Sequence, residues 1–458
     1  MRATVVEIRG LRGVEFDASK IELGKVVAPP FDVINDDERQ RLFKLSPYNM
    51  THLTLPKAPR SGKTKDPHEH ASHLIEAWLA EGILKEQPEE AVYAYEIWYT
   101  YRHQEKRMRG VLVALKVDPT YKQVVPHERI FDKPAEERLK LLRATTFDLE
   151  PIWLLYSGKT VEETLWAYLD GAGEPPDILV TAPDGSIHKV WRIVDPAVAG
   201  TVLEGLKGRK AYIADGHHRY ATAVKYAEER RLREYRPSKT APYEYKMVLL
   251  TNMSDSGLGI RPTHRVVKVP KKLNLDALRE KLGADFEITE HSAQAGAKLA
   301  DEILVTLERS AAALTNAHVF AAYGGEGRRY WLLRAKEPVL SETVAPGRSF
   351  TWRSVDTAFV QKLILEKGVG IPEKKWGDDV YYTRDEHEAV ALVTAKKASL
   401  AVFHLPTKLA QLRAIADGAE VMPPKSTYFT PKPLSGLVLH KIGKPEPMVE
   451  TTRRRFTS

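Results

Sequence analysis

The chain of 458 residues contains no cysteine. Disulfides, thiol nucleophiles and thiolate-held metals are therefore excluded. It has no uninterrupted apolar run long enough to span a bilayer, and Met1-Arg2-Ala3-Thr4 opens without the apolar core of a signal peptide. The expectation is a cytoplasmic protein with no membrane partner. Internal repeats and low-complexity tracts are lacking too. What is present is an ordinary globular composition, 43% hydrophobic and 28% charged, on a length that suits two or three domains. A net charge of +8 and a pI near 9.2 favour anionic partners. They do not choose between nucleotide, phosphorylated metabolite and nucleic acid.

The densest chemistry lies in Tyr212-Ile213-Ala214-Asp215-Gly216-His217-His218-Arg219-Tyr220. The apolar run Ala211–Ala214 predicts a buried strand, Asp215-Gly216 a sharp turn, and the spacing from His217 through Ala221, Val224 and Ala227 a helix reaching Arg231. A strand, a glycine turn and a helix start form an anion site, because the first helical N–H groups lack partners and the helix dipole is positive there. Arg219 adds a bidentate phosphate grip, and His217 and His218 add groups that move protons near neutral pH. The plainer reading is a helix capped by Asp215, with Arg219 in a salt bridge and the histidines half exposed.

Upstream, Val27-Ala28-Pro29-Pro30-Phe31-Asp32 places a carboxylate on a rigid loop at a strand end, where active-site groups often sit. Alternatively, Asp32 or Asn35 caps the predicted helix Asp36–Leu45. Met50–Leu55 reads as a strand. Pro59-Arg60-Ser61-Gly62-Lys63-Thr64 imitates a phosphate loop, but Lys57 stands where its first glycine belongs, so a basic surface loop is expected. A helix over Glu69–Glu81 follows. Val92–Arg102 and Arg109–Val117 alternate as a strand pair joined by the charged turn His103–Arg107. Val124-Val125-Pro126-His127-Glu128-Arg129 offers an acid/base or metal pair, yet no second histidine at metal spacing lies nearby, so no metal held by protein alone is expected.

Strands at Ile152–Tyr156, Lys189–Ile193 and Lys246–Thr251 and helices at Ala135–Arg143, Val161–Leu169 and Val198–Leu206 surround the central motif. Pro262-Thr263-His264-Arg265 begins another strand. The texture changes near Pro270-Lys271-Lys272, after which two helices and a hairpin, His318–Ala322 with Arg329–Leu333, predict a separate α+β lobe. An amphipathic helix over Ser354–Lys367 follows. Met422-Pro423-Pro424-Lys425-Ser426-Thr427-Tyr428-Phe429-Thr430-Pro431-Lys432 either returns to a site or pins a terminal strand, Gly436–Leu439. The expected division is a core over residues 1–270, a C-terminal α+β lobe over 271–445 and a basic tail over 446–458.

These segments, taken in order, resemble the family called domain of unknown function 1015 over nearly the whole chain. The central motif also resembles the ParB/sulfiredoxin superfamily, in which a Gly-x-x-Arg turn at a helix start holds nucleotide phosphates. Gly216 and Arg219 match those positions. His217 stands where sulfiredoxin has its reactive cysteine, which excludes that chemistry. The chain returns to a strand where ParB proteins continue into a helix-turn-helix, which counts against DNA clamping. The Asp-Gly-His-His-Arg string is most similar to that of the superfamily's free-serine kinases.

The resemblance implies an α+β fold: a mixed-sheet ParB/sulfiredoxin-like core with insertions plus the C-terminal lobe. It implies a phosphotransferase acting on serine or O-phosphoserine, with a nucleotide, ATP or ADP, and Mg²⁺ as cofactors. On that reading His217, His218, Asp32 and Glu128 are catalytic. Asp215, Gly216, Arg219 and Tyr220 hold phosphate or nucleotide, and His127, His264, Arg265, Lys425 and Ser426 hold the substrate. The partners are then a small molecule and a nucleotide, with nucleic acid disfavoured and the oligomeric state left open. The alternative is a nucleotide-binding regulatory protein of ParB type, associated with nucleic acid. If catalysis is right, Asp32, His127, Glu128, His217, His218 and His264 should converge, as strand ends do in an α/β crevice.

Overall fold

The computed structural model describes residues 7–58, 64–129, 132–158, 162–268, 273–314 and 317–443. The imitation phosphate loop at 59–63, the boundary at 270–272 and the tail at 446–458 lie outside them. The fold is mixed α+β and forms two compact units. The first comprises Met1–Pro126, Ile130–Leu258 and Pro431–Ser458; the second comprises His127–Arg129 and Gly259–Thr430.

The first unit is built on a nine-stranded mixed sheet: β1 (Ile8–Arg9), β2 (Val92–Tyr101), β3 (Gln104–Lys116), β4 (Val124–Val125), β5 (Ile152–Tyr156), β6 (Ile178–Thr181), β7 (Ile187–Ile193), β8 (Ala211–Asp215) and β9 (Tyr245–Asn252). Its order is β4-β8-β5-β9-β3-β2-β7-β6, with β1 beside β3. Strands β5, β8 and β9 are buried at every residue. That is why they read as continuous apolar runs rather than as alternation. Helices α1 (Asp36–Leu45), α2 (Pro67–Ala80), α3 (Asp132–Thr145) and α4 (His217–Arg233) belong to this unit. A small sheet runs Leu84–Glu86, Gly13–Phe16, Leu439–Lys441, Phe147–Asp148. The hydrogen bonds of Leu439–Lys441 thus return the end of the chain to its beginning.

Two local expectations are corrected here. Residues 50–55 are not a strand: Thr51–Thr54 is a helical turn. The buried Asn49 side chain accepts from Thr51 N (3.0 Å) and Thr51 Oγ1 (2.7 Å) and donates to the carbonyls of Lys25 and Val27. That bonding overrides the β propensity of the segment. The β2–β3 turn is also tighter than the charge pattern implied. Arg102 and His103, both at positive φ, make it alone, and Lys106 and Arg107 pair with Tyr99 and Trp98 inside the ladder.

The second unit holds a six-stranded sheet: β10 (His264–Val267), β11 (Phe286–Ser292), β12 (Val319–Tyr323), β13 (Arg329–Ala335), β14 (Val380–Thr383) and β15 (Leu400–Phe403), in the order β11-β13-β12-β15-β10-β14. Strand β11 lies between two helices, Leu275–Leu282 and Leu299–Ala312, where the sequence pattern predicts no strand. Its pairing with β13 along Phe286↔Ala335 to Ser292↔Arg329 decides the conformation. Its neighbours include helices α5 (Leu299–Ala312) and α6 (Glu386–Thr394), and Ile303, Leu307, Ala321, Val393 and Phe403 fill the core. The expected helix over Ser354–Lys367 runs as Asp356–Phe359 and then as wider i→i+5 turns through Val369.

Candidate functional site

The site in the first unit grows from the end of β8. The β8–β5 register slips between Ile213 and Asp215, so a bulge turns the Asp215 carboxylate away from its ladder position. Gly216 follows at φ +94°, a conformation that a side chain strains to adopt. A Cβ there would meet Arg219 Nε and Nη2 at 3.1 Å. Gly216 caps α4 without a side-chain bond, so Asp215 is not the cap. Tyr220 N is the first to bond back, to Gly216 O at 2.9 Å. The N–H groups of His217, His218 and Arg219 therefore have no carbonyl of their own helix to bond.

Arg219 is buried. It donates to Pro151 O at 2.6 Å and to Asp215 Oδ2 at 2.5 Å, and Glu150 Oε2 lies 3.9 Å from Nη1. Its Nε has no hydrogen-bond partner among the described residues. Lys432 bonds the other Asp215 oxygen. Glu150 accepts from Phe31 N (3.0 Å) and Ser435 Oγ (2.8 Å), which fixes the loop carrying Asp32. Asn35, not Asp32, caps α1, accepting from Glu38 N at 2.9 Å. Asp32 makes no hydrogen bond among the described residues, and solvent reaches it. Behind Arg219 a cavity of about 40 Å³ is bordered by Arg138, Glu150, Thr222 and Lys246.

The two aspartates are pushed in opposite directions. Asp32 is accessible yet closely surrounded; desolvation and then the Asp215 charge raise its pKa, against Lys432 and Arg219. Burial would raise Asp215 as well, but Lys432 and Arg219 outweigh it and hold the carboxyl below its usual value. Burial drives His217 down to about 3; His218, Lys432 and Arg219 add to this and Asp215 opposes it. The imidazole is therefore neutral at pH 7.

The remaining sequence-derived candidates serve varied local roles. Tyr220 is buried, and its hydroxyl accepts from Asp118 N at 2.7 Å, anchoring α4 to that loop. His218 is half-buried. In the second unit, His127 Nε2 lies 2.8 Å from Thr427 Oγ1, which donates to Glu128 at 3.4 Å. His264 is buried against Phe403 and His404, with ring centroids 5.0 and 6.0 Å away. Arg265, brought down to about 10 by burial, bonds His404 at 2.6 Å and the carbonyls of Thr263, Pro424 and Lys425. Ser426 Oγ lies 2.7 Å from Thr357 Oγ1 and donates to Pro423 O at 2.6 Å. Lys425 is exposed, at φ +57°. Arg265 and Ser426 thus spend hydrogen bonds on the 423–427 strap. Of the six groups expected to converge, Asp32, His217 and His218 belong to the first unit and His127, Glu128 and His264 to the second.

The family model described as a protein of unknown function (DUF1015) matches residues 8–358. The chain belongs to this family. No curated protein matches it in sequence. Among solved structures, it is similar to a free serine kinase in complex with AMP, at 13% identity over 70% of this chain and 87% of that one, TM-score 0.33. It is also similar to a conserved hypothetical protein from Pyrococcus furiosus (13%, 70% and 90%, 0.32). A third is SbnI with a C-terminal truncation from Staphylococcus aureus (11%, 71% and 85%, 0.32).

Lys432 and Glu150 are site residues that reading the sequence alone passes over. Glu150 had a signal: it stands beside a proline just before a strand, in Leu149-Glu150-Pro151 ahead of β5. The strand end expected at Asp32 is instead a helical turn at Leu23–Val26 followed by a single 3-10 turn over Phe31–Val33. Lys432 had only the Pro-Lys-Pro frame of 431–433. No helix among the described residues is long and apolar enough to cross a membrane.

Proposed function

We propose that the first unit moves a phosphoryl group between a nucleotide and the hydroxyl of a small amino acid, with serine and O-phosphoserine as the pair to test. The observation that carries this reading is the split between two neighbouring carboxylates. Asp215 is held ionised by Lys432 and Arg219, while Asp32 is unbonded, reached by solvent and shifted upward. Environments that push paired titratable groups apart mark acid/base division of labour. A carboxylate raised toward working pH is the better base for a hydroxyl proton.

The neighbouring groups suit phosphate. The N-terminal turn of α4, the bare Cα of Gly216 and the unused Nε of the pinned Arg219 make a cradle for an anion. Neutral His217 can donate a hydrogen bond without adding charge. In the forward direction the substrate O–H proton passes to Asp32, the oxygen bonds the phosphorus, and the bond to the nucleotide oxygen breaks. In hydrolysis of O-phosphoserine a water gives its proton to Asp32 and its oxygen bonds the phosphorus, while the bond to the serine oxygen breaks and that oxygen takes up a proton to leave as serine. Asp215 and Glu150 are already engaged by cations and donors, so they are not the groups that would take up Mg²⁺ directly. The ion fits as one carried on the nucleotide phosphates, where it neutralises their charge.

Phosphorus NMR tests the proposal: protein with Mg²⁺ and ATP or ADP plus L-serine, and separately O-phosphoserine alone. A new phosphomonoester, or free phosphate from phosphoserine, that disappears in Asp32→Asn supports transfer and gives its direction. No product in any mixture, with nucleotide bound by calorimetry, would instead favour the ParB-type regulatory reading.

A further inference from the structure

The second unit contains a pocket that none of this chemistry uses. It is about 220 Å³, and its walls include Arg129, Arg348, Trp352, Gln361, Lys362 and Glu373. Two sequence motifs build it. Met422 N donates to His127 O at 2.9 Å, tying the His127-Glu128-Arg129 segment to the Met422-Pro423-Pro424 strap. Trp352 Nε1 donates to Val421 O at 3.0 Å and fixes the strap from the other side. We infer that this pocket binds a small organic anion, a phosphate or carboxylate that also carries a hydroxyl or amino group.

Two observations point to that class independently. The first is charge. Three cations and one carboxylate line the pocket. Arg129 lies 4.0 Å from Glu373 and Arg348 lies 3.9 Å from Glu420, both beyond hydrogen-bonding reach, so these ion pairs do not use up the guanidinium N–H groups. Arg348 is held over the Trp352 ring at 4.8 Å, which orders its fork for an incoming anion. Lys362 is bonded to Glu366 at 2.9 Å and contributes as a nearby charge.

The second is an unsatisfied acceptor. Gln361 is buried, 6% exposed, and its Oε1 has no hydrogen-bond partner among the described residues. A buried acceptor without a donor is costly. A ligand O–H or N–H placed there recovers that cost, and a bare anion does not.

The test uses the full-length protein, titrated calorimetrically with 3-phosphoglycerate and with its 2-deoxy analogue 3-phosphonooxypropionate. The expected result is binding of both, weaker in high salt, with the hydroxylated probe tighter. Arg129→Gln, at an exposed position where folding is not at stake, and Arg348→Gln should each weaken binding about tenfold or more. Gln361→Leu should weaken 3-phosphoglycerate about tenfold and leave the deoxy probe within about a factor of two. Asp32→Asn should change neither, which separates this pocket from the proposed transfer site. Absence of binding at millimolar probe, or affinity that survives both arginine substitutions, would overturn the anion site. Equal losses for both probes in Gln361→Leu would overturn the assignment of the hydroxyl.

Discussion

Lys432 and Asp215 form a buried ion pair across 217 residues of sequence. Arg219, one helical turn beyond Asp215, occupies its other oxygen. The pair therefore ties the C-terminal segment to the end of β8, where α4 begins. Segment 432–435 is held at further points: Leu434 N donates to Tyr95 OH at 3.1 Å, and Ser435 pairs with Ala28 and bonds Glu150.

Lys432→Met should therefore destabilise the first unit strongly, by about 3–5 kcal/mol, because it leaves Asp215 buried with half its compensation. The change should also alter the acid limb. Asp215 has a lowered folded pKa, so its contribution is present above about pH 4 and is lost as pH falls through the folded value. Without Lys432 that value rises and the loss begins at higher pH. Urea denaturation at pH 4, 5 and 7 measures both effects; an unchanged midpoint would mean that the pair contributes nothing.

Asp32→Asn should separate function from stability. Asp32 has no hydrogen bond to lose and sits among the charges of Asp215 and Glu150, so removing its charge should leave stability unchanged or slightly raised. Phosphoryl transfer should fall by about 10²–10⁴, the usual contribution of a general base. A large drop in thermal midpoint would show that the carboxylate is structural.

How much of this was legible is a matter of range. The strand, turn and helix over 211–233 follow from neighbours in sequence: an apolar run, an Asp-Gly turn and helical spacing. The Pro29-Pro30 frame likewise singles out Asp32 locally. Lys432 and the full role of Glu150 are set by contacts hundreds of residues apart, and no local pattern encodes them. The misread strand at 50–55 failed for the same reason: Asn49 bonds to Lys25 and Val27 decide that segment. Histidines were the weakest guide: His264 and His127 look alike in sequence and both pack against aromatic rings, yet His127 also meets a hydroxyl, that of Thr427.

Gly216→Ala should disturb both fold and site. At φ +94° the new side chain costs about 1–2 kcal/mol from backbone strain, and its methyl sits 3.1 Å from two nitrogens of Arg219. Arg219 is fixed by Pro151 and Asp215, so it cannot retreat without breaking those bonds. Nucleotide affinity should fall by more than the stability loss alone predicts for a population still folded. Calorimetry at a temperature well below the unfolding transition checks this, and wild-type affinity there would remove Arg219 from the phosphate cradle.

Acid sensitivity should begin above the range of carboxylate titration. In the first unit, burial lowers His188 to about 4 and His217 to about 3. Both are depressed below the unfolded value of about 6.5, so the unfolded chain takes protons that the folded chain refuses. Stability from these groups is complete above pH 6.5 and is lost progressively as pH falls toward 4, at about 1.4 kcal/mol per pH unit for each. His188 is fixed between Tyr95 OH (2.7 Å) and Ser186 Oγ (2.8 Å), which serve a neutral ring that donates from one nitrogen and accepts at the other. His217→Asn should therefore flatten the slope of stability between pH 6.5 and 4.5 by about half, while its stability at pH 7.5 shows separately what the ring contributes by packing. Denaturant titrations across that range measure the slope, and NMR of the histidine ring protons shows whether either group titrates above pH 5. A His217 resonance moving near pH 6.5 would mean that the ring is hydrated rather than buried, and the neutral donor assigned to it would have to be abandoned.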